Sequence, residues 1–256
     1  MTNILAVAHK ELKSYFGSPI AYVLLAVFAV VYGWFFAQGL LFFERTSSQM
    51  GMMGMGSPTV NINQQLIRPI LMNVSVILLF VLPLITMRTY AEEKRSGTME
   101  LLLTSPLTDL QIVLGKFFGT MGLIAAMLAI TLPHILILYL YSSPEWKTLA
   151  IAYLGYLLMA GCFVAIGLFI SSMTSNQIIA GVATFGVFLM LWVIDWAGAF
   201  AGPRSKLIYE YLSITGHFDD FTKGVLDTKH LVYYLSFITF GLFLTVRSVD
   251  SERWRG

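Results

Sequence analysis

The side chains best suited to chemistry gather in a few short stretches. His217, Asp219 and Asp220, with Phe218 between them, bring together an imidazole and two carboxylates, groups that could hold a divalent cation. In Asp219-Asp220-Phe221-Thr222-Lys223, however, a lysine stands where a magnesium-diphosphate site would need its third carboxylate, which argues against an intramembrane transferase. Phe218, Phe221, Val225 and Leu226 recur at helical spacing, so this stretch reads as a short amphipathic helix tucked into the outer face of a membrane. Met50, Met52, Met53 and Met55 supply four thioethers, soft ligands that suit monovalent copper. No His or Cys accompanies them, and their glycine-rich spacing suits an unstructured outer loop, so no metal is expected in this chain.

Isolated polar groups in apolar surroundings have simpler readings. His134 follows Pro133 and reads as bonding a backbone carbonyl freed by the proline, with a proton relay as the alternative. Asp195 reads as the solvated end of an apolar helix, and Cys162 as a packing residue that has no partner for an intrachain disulfide. Zinc-hydrolase and serine-hydrolase patterns are absent. A phosphate-binding loop is absent too: Gly115-Lys116 is followed by Phe117 rather than Ser or Thr, and position 110 is Leu. No enzymatic activity is expected here.

The densest charge lies in residues 88–108, where Glu92, Glu93, Lys94, Arg95 and Glu100 occupy five of nine consecutive positions. Glu92 and Glu93 precede Lys94 and Arg95 as suits a helix dipole. Gly97 permits a break, and Thr98 is placed to cap a second short helix that Ser105-Pro106 closes. The expected result is two helices joined by a tight turn. The run Leu101, Leu102 and Leu103 could pack back onto a bilayer or fill a groove in another protein.

The elements that must carry these stretches are membrane helices. The chain has 256 residues, 57% hydrophobic and only 12% charged, far more apolar than an average soluble domain. A net charge of +2 offers no broad basic field for nucleic acid. A span needs about 20 apolar residues. That criterion finds six, at residues 19–43, 67–87, 110–141, 149–170, 177–196 and 231–246. The first starts at Ser18-Pro19, and the third at Thr108, where Gln111 completes a capping box. The third is too long for the hydrocarbon layer, so its first two turns, with Lys116, are expected to stand in water. Six spans put both termini on one side, and Lys and Arg bias that side toward the cytoplasm. No cleavable signal and no internal repeat is evident. Gly155, Gly161 and Gly167, with Ala160 and Ala165, and Gly181 with Gly186, thin two spans for close approach, as a dimer seam or an internal contact.

Residues 1–18 form a separate amphipathic helix. Ile4, Leu5, Ala8, Leu12, Tyr15 and Phe16 share an apolar arc, with Lys10, Lys13 and other polar residues outside it and Val7 misplaced. It reads as a membrane-surface anchor or as a helix that also contacts a cytosolic partner. The remaining residues, 19–256, form the six-helix transmembrane domain, with a cytosolic segment at 88–108 and an extracytoplasmic one at 197–229.

The stretch from Glu92 through Thr104, Ser105 and Pro106 to Gly115-Lys116 resembles the cytoplasmic signature of the ABC-2 family of permeases. The bacterial subgroup that includes gliding-motility and nitrous-oxide-reductase-maturation permeases is the most similar, and residues 212–227 resemble its region before the last span. The resemblance implies an all-α polytopic permease in the bacterial cytoplasmic membrane. It further implies that residues 92–104, with Glu92, Glu93, Lys94, Arg95, Gly97, Thr98, Glu100, Leu101, Leu102 and Thr104, form a coupling helix for a separate ATPase. Residues 3–16, with Lys10, Glu11 and Lys13, would be the connecting helix beside it. Two permease subunits are implied, with ATP and magnesium on the ATPase and an exported substrate between the subunits. The alternative is an ABC-coupled scaffold that does conformational work on an extracytoplasmic protein partner without moving a substrate.

Overall fold

The computed structural model describes residues 2–52, 62–142, 144–200, 202, 208–209 and 211–253. Among them every regular element is helical and none is a strand. Helix α1 (Thr2–Phe16) leads into α2 (Pro19–Met52), and a π-helical turn (Asn63–Ile67) opens α3 (Arg68–Arg95). Then follow α4 (Thr98–Leu103), α5 (Asp109–Ala129), α6 (Leu132–Tyr141), α7 (Trp146–Ser172), α8 (Gln177–Phe200), α9 (Ile214–Thr222) and α10 (Thr228–Arg253). Six stretches are long and apolar enough to cross a membrane: Pro19–Gln49, Asn63–Arg95, Asp109–Tyr141, Trp146–Ser172, Gln177–Ile194 and Thr228–Arg253. The chain is an all-α polytopic membrane protein.

Several boundaries follow from local chemistry. Ser18 Oγ accepts from Ile20 N at 3.4 Å at the start of α2. Thr108 and Gln111 form the expected capping box on α5, each side chain bonded to the other's backbone N–H. The first span outruns its apolar stretch, because nothing in Glu44 to Gln49 breaks a helix and Thr46 Oγ1 returns to Phe42 O at 2.9 Å. Met50 and Met52 fall in its last turns, whereas Met53 and Met55 lie outside the described residues.

The third span breaks before Pro133, as the proline suggested. The polar work at this break falls to Thr131, whose hydroxyl donates to Leu128 O at 2.6 Å and also meets the Tyr153 hydroxyl. His134 does not take a freed carbonyl. Its ring stands edge-on to Tyr32 and Phe36, with centroids 5.0 Å away in each case, and its Nδ1 meets no partner among the described residues.

Helices α3 and α7 form the middle of the bundle, with α7 packed against α3, α5, α8, α9 and α10. Its glycines serve these internal contacts. A Cβ on Gly155 would stand 2.5 Å from Phe221 Cβ, and one on Gly161 2.9 Å from Ile238 Cδ1, while Gly167 lies against Thr86. Gly181 meets Met87 on α3, but Gly186 has nothing within 4 Å. Cys162 is buried, with its thiol 3.5 Å from Tyr234 O.

Helix α9 starts at Ser213, whose hydroxyl accepts from Gly216 N at 2.9 Å, and buries Ile214, His217, Phe218, Phe221 and Thr222. The expected amphipathic helix is therefore present but shorter than its apolar spacing suggested. Gly224, at φ +80°, ends it against Thr148, so Val225 and Leu226 fall beyond it and are about half exposed.

Candidate functional site

The charged segment lies where α1, α3, α4, α5 and the end of α10 converge. Its base is the fit of α1 into α5. Gly115, Gly119 and Gly122 line one face of α5, and side chains of α1 sit where their Cβ atoms would be: Val7 Cβ at 2.5 Å, Glu11 Cβ at 2.6 Å and Leu12 Cδ1 at 2.9 Å. The buried face of α1 thus centres on Val7, Ala8 and Glu11, while Leu5 is exposed. Val7, which falls outside the apolar arc, is buried because the glycine groove of α5 receives it.

Lys116, one residue past Gly115, does not stand in water. Helix α1 covers it, and its ammonium donates to Thr89 O at 2.8 Å. The same ammonium lies 2.9 Å from Glu93 Oε2, 3.4 Å from Glu11 Oε2 and over the Tyr90 ring at 4.9 Å. Lys10 reaches the other Glu93 oxygen at 3.4 Å. Tyr15 completes the seam, its hydroxyl 3.2 Å from those of Thr89 and Thr120; burial pushes its pKa well above the ordinary tyrosine value. One network therefore ties α1, α3 and α5 together.

Two further pairs tie the end of α10 to α3 and α5. Lys94 reaches Glu252 on α10 at 2.6 Å, and Arg253 reaches Asp109 on α5 at 2.9 Å. Glu92 turns back to Arg88 at 2.9 Å. Glu93 and Lys94 thus serve pairs with other helices, while Glu92, its side chain 47% exposed, pairs within its own.

The outward face is α4 itself. Gly97 takes the left-handed conformation, φ +71° and ψ 8°, that turns the chain from α3 into α4. Gly97 also occupies the N-cap position expected for Thr98, whose hydroxyl instead lies 2.9 Å from that of Ser96. Met99 is buried and Leu102 packs on the core, while Arg95, Glu100, Leu101 and Thr104 are exposed. Of the leucine run, Leu102 thus turns inward and Leu101 outward. Leu101, 73% exposed beside Glu100, is an apolar side chain that α4 leaves uncovered.

The sequence matches the ABC-2 family transporter protein family over residues 5–247. The chain belongs to the ABC-2 transporter family. Among relatives, the probable multidrug ABC transporter permease YbhR of Escherichia coli K12 is 29% identical over 147 residues, and so is that of Escherichia coli O157:H7. The matched stretch covers 56% of this chain and 39% of each relative.

The second group singled out in this ABC-2 chain lies at the opposite end. Arg68 on α3 reaches Asp219 at 2.6 Å, and Lys223 bridges Asp219 at 2.5 Å and Asp220 at 3.2 Å. Lys223, the residue that spoiled the magnesium pattern, thus neutralises both carboxylates. Phe218 is buried, with its ring 5.6 Å from that of Tyr156 on α7. His217 meets His230, which the sequence gave no reason to associate with it. No group of three metal-ligating side chains occurs among the described residues.

Lys13 is exposed on α1, away from the network. Unforeseen were Lys116 as its centre and Glu252, Arg253 and Asp109 as its outer ties. A signal existed for the first: Gly115 and Gly119 are four apart, Gly122 is three further, and Lys116 flanks that stripe.

Proposed function

We propose that this chain is the membrane-spanning permease subunit of an ATP-binding-cassette exporter in the bacterial cytoplasmic membrane, with its termini cytoplasmic. It pairs with a second permease subunit and with a separate ATPase that carries ATP and magnesium. The observation that carries this reading is α4, which exposes Glu100, Leu101 and Thr104 while the turn before it is rooted in the Glu93–Lys116 network. An apolar tip flanked by polar groups fits a groove in a partner protein. The rest of the segment is built for transmission. A push on α4 acts on the last turn of α3, whose Glu93 engages α1 and α5 and whose Lys94 engages α10. ATPase closure is thereby converted into movement of four helices at once.

The test is purification of the chain in mild detergent, followed by mass spectrometry of what travels with it. An ABC ATPase is expected, and Leu101→Glu is expected to abolish its recovery while the variant still inserts in the membrane. Unchanged recovery would overturn the role given to α4, and absence of any ATPase from the unaltered chain would overturn the permease reading. ATPase stimulation by an extracytoplasmic protein, with no transported compound, would replace export with the scaffold reading.

A further inference from the structure

The end of the molecule that carries α9 contains a cavity of about 740 Å³, bounded in part by Tyr211, His217, Asp219, Asp220, Lys229 and His230. Three contacts run in line through the two imidazoles at its wall. Asp220 Oδ2 lies 2.8 Å from His230 Nε2, the Nδ1 atoms of His230 and His217 face each other at 2.5 Å, and His217 Nε2 lies 3.0 Å from Tyr211 O. The outer partners are a carboxylate and a carbonyl, and both accept. Each contact therefore needs one proton, three in all, whereas two neutral imidazoles carry only two.

We infer that His217 and His230 form a proton-binding site, in which the pair holds a third ring proton between its facing Nδ1 atoms and Asp220 balances the charge. The alternative home for that proton is the carboxyl of Asp220. Lys223, 3.2 Å away, disfavours this, because its ammonium favours the carboxylate form. The carboxylate of Asp220 stands against His230 whereas His217 faces only a carbonyl, so His217 is the neutral member, donating through Nε2 to Tyr211 O and accepting at Nδ1. The extra proton then rests on His230, beside Asp220.

Both rings are nearly enclosed, 6% exposed for His217 and 4% for His230, and Tyr233 stacks on His217 with centroids 3.9 Å apart. The charged and titratable groups near the pair come from several elements. Asp219, Asp220 and Lys223 lie on α9, Lys229, Tyr233 and Tyr234 on α10, Arg68 on α3, and Asp227 in the turn; α7 opens at this end with Glu145 and Lys147. The proton is retained below the midpoint of the pair and lost as pH rises through it. On its loss one contact must open, because only two protons remain for three acceptors. The facing Nδ1 atoms separate, Tyr211 O loses its donor, or Asp220 loses that of His230. Proton occupancy thus sets whether all three contacts hold at once.

The chain has four histidines, which makes ring-nitrogen NMR direct. The full chain, labelled with nitrogen-15 in histidine and reconstituted in lipid nanodiscs, would be titrated over roughly pH 5 to 8. His217→Gln and His230→Gln assign the signals. At the acid side one ring of the pair should carry two protons and the other one, on Nε2, and a single proton should leave in one step. Asp220→Asn should move that step down by about one pH unit or more. The signals of His134 report that each variant is folded. Two neutral rings throughout, or an Asp220→Asn midpoint equal to that of the unaltered chain, would overturn the proton site.

Discussion

The ammonium of Lys116 on α5 lies 2.9 Å from the carboxylate of Glu93 in the last turn of α3, under the cover of α1. A buried cation is tolerable only with partners, and here Glu11, Glu93 and Thr89 O supply them. Removing one partner therefore costs more than the attraction it contributed.

Lys116→Met strands two acidic side chains at the seam and is expected to destabilise the chain by about 3–5 kcal/mol. The triple change with Glu11→Gln and Glu93→Gln should recover much of that loss. Chemical unfolding in detergent, followed by circular dichroism, checks both. A triple variant no better than Lys116→Met would refute the network.

Gly115→Val is expected to expel α1 from its groove, since even a Cβ there would stand 2.5 Å from Val7 Cβ. Limited proteolysis in membranes should then cut the first 18 residues much faster than in the unaltered chain. Gly186→Ala, where a Cβ meets nothing within 4 Å, should leave the pattern unchanged.

Gly224→Ala should destabilise the α9 end by about 1–2 kcal/mol. The residue sits at φ +80°, and an added Cβ would stand 2.6 Å from Thr148 Oγ1. Hydrogen exchange should rise in α9 and the start of α7 while the α4 end keeps its protection.

Acid should loosen the same end. Burial alone would raise the pKa of Asp220, but His230 and Lys223 outweigh it and hold the carboxyl below its ordinary value of 3.8. A depressed carboxylate contributes stability above its ordinary pKa and loses that contribution as pH falls through the folded value. Exchange in α9 should therefore rise in that acid window, and Asp220→Asn should remove the pH dependence.

Run length and composition made the spans legible, and Gly97 and the Thr108–Gln111 box fixed two turns by local chemistry alone. What failed were readings that assumed lipid or water on the far side of a helix. Lys116 looked solvated because the excess length of its apolar run was legible but the helix covering it was not. Val7 looked misplaced for the same reason: a groove of glycines accepts a branched side chain that a bilayer-facing arc would not predict. Lys94 and Arg95 are neighbours of like charge, yet one reaches Glu252 and the other faces out, a distinction set by the position of α10.

The glycine groove has a mechanical consequence. Because α5 presents bare glycine backbone to α1 at 115, 119 and 122, no α5 side chain at these three contacts can bend or change rotamer under load. The joint has little compliance, so a displacement of one helix reaches the other almost undiminished. A stroke of an ångström or so, which a leucine-lined interface would absorb, would survive here.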